Sequence, residues 1–165
     1  ADIALRSAMT GHLVLSTLHT NDSLSSITRL INMGVEPYVI ESSIIACAAQ
    51  RLVRVLCDKC KAEYIPDKIN LKLLEKYKIE SKILYKPTGC SVCNNSGFSG
   101  RVGFFEVFEL DENIKDMIVK RESVSNMRKY LRENGFVSLF ENGLKSSAEG
   151  VVFIDEIKSV IGEIK

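Results

Sequence analysis

The chain has 165 residues, 45% of them hydrophobic and 26% charged, with a formal net charge of +1. That is a globular composition, long enough for one compact core or for two or three small ones. It makes no global electrostatic case for nucleic acid or an anionic membrane, and no apolar run reaches the roughly 18 residues of a membrane span.

The opening ADIALRSAMT has neither an initiator Met nor the basic-then-apolar order of a signal peptide. It reads as part of an amphipathic helix, with Leu5, Ala8 and Met9 on one face and Gly11 as a stop, and so as a piece of something longer. Leu13 to Leu18 is a short apolar run with little alternation, as expected of a strand covered on both faces. Asn21 or Asp22 offers an N-cap for a helix carrying Leu24, Ile27, Leu30 and Ile31, closed by Gly34. Pro37 suits the first turn of a further helix, apolar nearly all round through Cys47 and Ala48 and therefore buried.

The stretch 51–56, RLVRVL, has strand character and runs into a first cysteine pair. Between Cys60 and Cys90 the composition shifts to Lys, Glu and Tyr, with a short helix expected at 67–77 in a surface excursion. Residues 100–110, GRVGFFEVFEL, return to strand. Beyond them the pattern is helical in short pieces, with Asp111 and Ser123 as N-caps, Ser138 with Glu141 as a capping box, and Gly135 and Gly150 as stops.

Both histidines of the chain, His12 and His19, flank the first apolar run. If 12–19 is extended, seven steps of ~3.3 Å put them roughly 23 Å apart, and an odd separation points them to opposite faces. One metal ion, whose ligands sit ~2 Å away, cannot take both. They are two ends of a strand. In open parallel sheets ligands bind beyond the carboxyl ends of strands, which is the end carrying His19 with Ser16, Thr17, Thr20 and Asn21. The plain alternative is that both histidines satisfy local backbone groups.

The five cysteines are Cys47, Cys57, Cys60, Cys90 and Cys93. An odd count suits a disulfide framework poorly, and two C-x-x-C pairs with 29 residues between them suit a metal in a reducing compartment. Two such knuckles can aim four thiolates at one zinc ion with Zn–S near ~2.3 Å, closing the shell to water, so the metal would be structural. Lys59 and Lys61 partly offset the charge of the site. Four ordinary buried thiols are the bland alternative, and a redox dithiol would need a low-pKa exposed cysteine that nothing nearby favours. Cys47, in its apolar helix, reads as core.

Three stretches resemble a known family. MTGHLVLSTLHTNDSLSSITRLINMGVEPYVIESSIIACAAQRLVR is similar to the segment after the Walker B strand in type II secretion and type IV pilus assembly ATPases, with its histidine box carried by His12 and His19. GCSVCNNSGFSGRVGFFEVFEL resembles the family's C-x-x-C…G-[YF]-x-G-R-x-G-x-x-E stretch, and MRKYLRENGFVSLFENGLKSSAEG its C-terminal helical region. The tetracysteine module is similar to that of the secretion and pilus-extension branch. The resemblance implies an α/β fold: the distal half of a RecA-like P-loop NTPase core (1–56 and 98–110), an inserted tetracysteine zinc module (57–97), and a C-terminal helical domain (111–165).

It also implies a homo-hexameric cytoplasmic motor, peripheral at the inner membrane through platform proteins, that uses ATP and Mg to assemble pilins or pseudopilins. Carried over, His19 would sense the γ-phosphate or attacking water, and His12 would lie nearer a domain or subunit contact. Arg101, in G-R-x-G, is a candidate for nucleotide phosphates, since a guanidinium suits phosphoryl charge; partnership with Glu106 is its structural alternative. Arg51 and Arg54 are weaker nucleotide candidates, with a strand-end salt bridge equally open to either. Cys57, Cys60, Cys90 and Cys93 would hold the structural zinc.

Two departures qualify this. Nothing in the chain reads G-x-x-x-x-G-K-[ST], and no acidic Walker B strand precedes Ala1, so the chain alone is expected not to hydrolyse ATP. Phe153 stands where the family often has a hydroxyl cap, which leaves open how a helix over 154–161 begins. A stand-alone zinc ribbon binding protein or nucleic acid is the competing class. Clustered basic and stacking residues would mark it, but here Lys59, Lys61, Lys68, Lys72, Lys76, Lys78, Lys82 and Lys86 alternate with Asp58, Glu63, Asp67, Glu75 and Glu80. No specific nucleic acid partner is expected.

Overall fold

A computed structural model describes residues 1–163. Its elements, in chain order, are α1 (Asp2–Met9), α2 (Ser25–Asn32), α3 (Pro37–Ser43), β1 (Ala46–Leu56), β2 (Ala62–Tyr64), α4 (Lys68–Lys76), β3 (Leu84–Lys86), a 3₁₀ turn (Ser91–Cys93), β4 (Phe98–Glu109), α5 (Glu112–Val119), α6 (Val124–Glu133), α7 (Leu139–Ala148) and α8 (Ile154–Val160). The class is α/β. β1 pairs with β4, and β2 pairs with β3. The Leu110 N–H donates to the Ile45 carbonyl at 2.8 Å and the Cys57 N–H to the Gly97 carbonyl at 2.9 Å, so β1 and β4 run antiparallel.

Two compact units result. One comprises Ala1–Ala49 and Glu106–Val137, the other Gln50–Phe105 and Ser138–Lys165. β1 and β4 thread both. In the first unit the core is built by Leu24, Ile27 and Leu30 of α2, Ile40 of α3, Cys47 of β1, Phe108 of β4, and Ile114, Ile118, Met127 and Leu131 of α5 and α6. In the second, Val53, Leu56, Leu74, Leu84, Leu144, Ile154 and Ile157 are buried. α5 and α6 thus belong to one unit, and α7 and α8 to the other.

The capping signals act as their chemistry requires. Asp67, Asp111, Ser123 and Ser138 each accept a backbone N–H three residues on, at the starts of α4, α5, α6 and α7. The Asp22 carboxylate accepts from the Ser25 N–H at 2.7 Å before α2. Gly34 closes that helix with φ +86°, and the Val35 N–H returns to the Leu30 carbonyl. At α8, Phe153 occupies the cap position with no side-chain bond. The helix forms anyway, because Ile154 and Ile157 are wholly buried and Asp155 and Glu156 sit in its first turn.

Two expectations fail. Residues 12–20 are not a strand: they carry no ladder, and Leu13 and Leu15 stand 81% and 89% exposed. An apolar run of this kind is extended and buried only when neighbouring strands supply hydrogen bonds on both sides. Here β1 and β4, the long strands, pair with each other. The helix expected through Ala48 stops at Ser43, and Ile44 turns extended at φ −97°, ψ 126°. Ser42 and Ser43 bond back to the Tyr38 and Val39 carbonyls, an arrangement that weakens a helix end. β-branched Ile44 and Ile45 then lead into β1, where pairing with β4 overrides local propensity. Cys47 is a core residue as expected, but on a strand.

Candidate metal centre

The first knuckle follows directly from β1. The Cys60 and Lys61 N–H groups both return to the Cys57 carbonyl, at 3.1 and 2.8 Å, making a tight turn that brings Cys57 and Cys60 to one side. The second is the 3₁₀ turn after Cys90, closed by the Asn95 N–H on the Cys90 carbonyl at 2.8 Å. Asn94 and Asn95 both take φ near +50 to +60°, a conformation Asn tolerates better than most residues. Gly97, with φ +76°, has no alternative: a Cβ there would lie 2.4 Å from the Pro87 Cβ. β2 and β3 pair antiparallel with Glu63 opposite Tyr85, which carries the chain back from the first knuckle to the second.

The four sulfurs lie within 4.8 Å of one another. Cys57 and Cys90 Sγ are 4.0 Å apart, Cys60 and Cys93 3.8 Å, and Cys90 and Cys93 3.7 Å. A tetrahedron of thiolates at ~2.3 Å from zinc has edges of about 3.8 Å, so the donor set fits the ion; a disulfide would need about 2.05 Å. Among the described residues, the His, Cys, Asp and Glu side chains that gather here are these four cysteines alone. Of the four, Cys57 and Cys93 are buried.

The electrostatics prepare a thiolate at one corner. Burial pushes Cys93 up, but N–H groups of Cys90 and Gly97, each 3.2 Å from its Sγ, and the Cys90 and Cys60 thiols outweigh this and bring it down to about 6. Cys57 goes the other way. The Lys59 N–H lowers it, while burial and the thiols of Cys60 and Cys90 raise it to about 11. Four sulfurs this close cannot all ionise without a cation between them. Lys61 pairs with Asp58 at 2.8 Å and donates to the Gly150 carbonyl at 2.9 Å, tying the first knuckle to the turn after α7.

The other candidates are placed as follows. His12 and His19 are both exposed, in the segment without ladder bonds; His12 Nδ1 lies 3.1 Å from Thr10 Oγ1. Arg101 is exposed on β4. Arg51 donates to the Gln50 carbonyl at 3.1 Å. Arg54 pairs with the buried Glu156 and lies 4.0 Å over the Phe98 ring. This is the salt bridge left open for it by its place near the strand end.

Polar residues whose partners the sequence did not reveal are also buried. The Ser23 N–H and hydroxyl both donate to Glu106 Oε1, at 2.7 and 2.9 Å, and Asp22 faces Arg128 at 3.5 Å. One signal existed: Phe104, Glu106 and Phe108 share the inward row of β4, with Leu110 buried just past its end, where a carboxylate is out of place unless bound.

The chain matches the family described as Type II/IV secretion system protein over residues 1–159. It is 40% identical over 163 residues to the type II secretion system ATPase E of Vibrio cholerae, covering 99% of this chain and 32% of that protein. It is also 40% identical over 159 residues to the type IV pilus assembly ATPase PilB of Thermus thermophilus, covering 95% and 18%. The chain thus spans about a third or less of these relatives. Among solved structures, the pilus retraction motor PilT with bound ADP matches 96% of this chain and 35% of its own at TM-score 0.63 and 17% identity, a likeness of fold.

Proposed function

Because the chain belongs to the type II/IV secretion system protein family, we propose that it is the C-terminal part of a motor ATPase that powers type II secretion or type IV pilus extension. The observation that carries this reading is 40% identity along nearly the whole chain to proteins named for those two activities. In the intact protein the ATPase is a cytoplasmic homo-hexamer at the inner membrane, held there by platform proteins, and its turnover drives assembly of pilins or pseudopilins. Among the described residues no helix is long and apolar enough to cross a membrane.

ATP with Mg²⁺, when bound, supplies the terminal phosphoryl group whose transfer to water releases the energy. His19 orients the attacking water or the γ-phosphate through an imidazole nitrogen, and Arg101 meets the charge that develops on the phosphoryl oxygens. Arg51 is a secondary phosphate contact, while Arg54 is a structural residue held by Glu156 and Phe98. His12 serves a domain or subunit contact. Cys57, Cys60, Cys90 and Cys93 would hold one zinc ion, whose part with four thiolate ligands would be structural. The working modules are 1–56 with 98–110, 57–97, and 111–165.

The test is kinetic. The 165-residue chain, in which nothing reads G-x-x-x-x-G-K-[ST], is expected to bind zinc and show no ATPase activity, and the intact protein to hydrolyse ATP. In that protein His19→Ala lowers kcat more than it weakens nucleotide binding. An unchanged kcat removes His19 from the site.

A further inference from the structure

We propose that Glu106 and Ser23, with Asp22 and Arg128 beside them, form a buried anchor that sets the position of His19; these are positioning residues, and the proposal rests on the reading of His19 given above. Residues 12–20 have no ladder hydrogen bonds; Leu18, just before His19, packs partly buried against the core, and the imidazole is placed through the chain on either side. On its carboxyl side the first buried side chains are those of Asp22 and Ser23. His19 is three residues from Asp22, a reach of at most ~10 Å, and any slack there passes to the ring.

The anchor is built from charge. Glu106 is 2% exposed and takes two donors from Ser23 on one oxygen, the N–H at 2.7 Å and the hydroxyl at 2.9 Å. Asp22, one residue earlier, accepts from the Ser25 N–H at 2.7 Å with one oxygen and faces the Arg128 guanidinium at 3.5 Å with the other. Arg128 and Asp22 are both buried. Packing alone does not call for this. The inward row of β4 is otherwise Phe104 and Phe108, followed by the buried Leu110 just past the strand, and an apolar side chain at 106 would bury as well or better than a carboxylate. What a buried carboxylate adds is a defined direction: it holds one backbone N–H at one place.

The intact ATPase provides the test, since a displacement of about 1 Å at a reacting group costs up to ~100-fold in rate. Glu106→Ala is expected to lower kcat about tenfold or more with the KM for ATP changed less than about twofold, and Glu106→Gln, which keeps an acceptor oxygen, to recover most of the loss. In the double variant with His19→Ala the losses should not multiply, because the anchor acts through the histidine. Multiplying losses, or a Glu106→Ala enzyme with wild-type kcat, overturn the proposal. Should Glu106→Ala not fold, Ser23→Ala carries the same double-variant comparison with a smaller loss.

Hydrogen exchange on the 165-residue chain separates the two readings. Glu106→Ala and Ser23→Ala should speed exchange at residues 19–24 while leaving residues 57–97 unchanged; unchanged exchange at 19–24 in both sinks the anchor. If His19→Ala leaves kcat intact while exchange responds, the catalytic reading of His19 has failed and the anchor has not.

Discussion

Around Cys57, Cys60, Cys90 and Cys93 the backbone turns back on itself within three to five residues and each knuckle closes on its own carbonyl. Between His12 and His19 the backbone has no ladder, and Leu13 and Leu15 face solvent. Both regions are rich in chemically able side chains. The difference is where their hydrogen bonds come from: a C-x-x-C turn supplies its own, while an apolar strand depends on partners distant in sequence. A metal site made of two local turns and the short antiparallel pair β2–β3 is therefore complete within 41 residues, 57–97. A strand-end site is complete only when its sheet is.

The sharpest way to break this comparison is to remove the metal's ligands. Structural zinc contributes on the order of 10 kcal/mol to small domains, so Cys57→Ser or chelation should abolish the cooperative thermal transition of Gln50–Phe105 with Ser138–Lys165. Survival of that transition would mean the apolar core suffices there. Next comes Gly97→Ala, which meets both a positive φ and the Pro87 Cβ at 2.4 Å. A loss of roughly 3 kcal/mol in urea unfolding is expected, with weaker zinc retention against a chelator.

Arg54→Ala leaves Glu156, whose side chain is 9% exposed, without its partner and removes the guanidinium from Phe98. It should cost about 2 kcal/mol; a cost near zero would return Arg54 to the nucleotide candidates. Asp111 contributes less. Burial raises its carboxyl, but the Tyr130 hydroxyl and the Ile114 and Asn113 N–H groups outweigh this and hold it below the usual range. A depressed folded value means stabilisation present above the unfolded pKa of ~3.9 and lost as pH falls through the folded one. Asp111→Ala should cost about 1 kcal/mol at pH 7 and less as the pH falls through the depressed folded value, measured by urea unfolding. Leu15→Asp, in the histidine segment, should change the stability of the 165-residue chain by less than about 0.5 kcal/mol. A larger loss would show that 12–20 is packed after all.

Much of this was legible from residues alone, and what was legible shares a cause. The cysteine spacing, the caps at Asp111, Ser123 and Ser138, the helix at Lys68–Lys76 and the strand ending at Glu109 depend on neighbours within a few positions. The misreadings are non-local. Ile44 to Ala48 carry helical spacing, but β4 recruits them as strand; Leu13 to Leu18 carry the mark of a buried strand without a partner to bury it. Likewise Ser23 meets Glu106 across 83 residues, and Arg54 meets Glu156 across 102. The odd carboxylate in the inward row of β4 hinted at the first, and the place of Arg54 near its strand end at the second.

The central claim is that four thiolates close around one zinc ion. Metal analysis of the reduced, freshly purified chain, repeated after cobalt substitution, tests it most directly. The account predicts one zinc per chain and a cobalt spectrum of a tetrahedral all-sulfur site, both lost in Cys90→Ser. Purified protein with no zinc, or a cobalt spectrum of octahedral oxygen ligation, would contradict it.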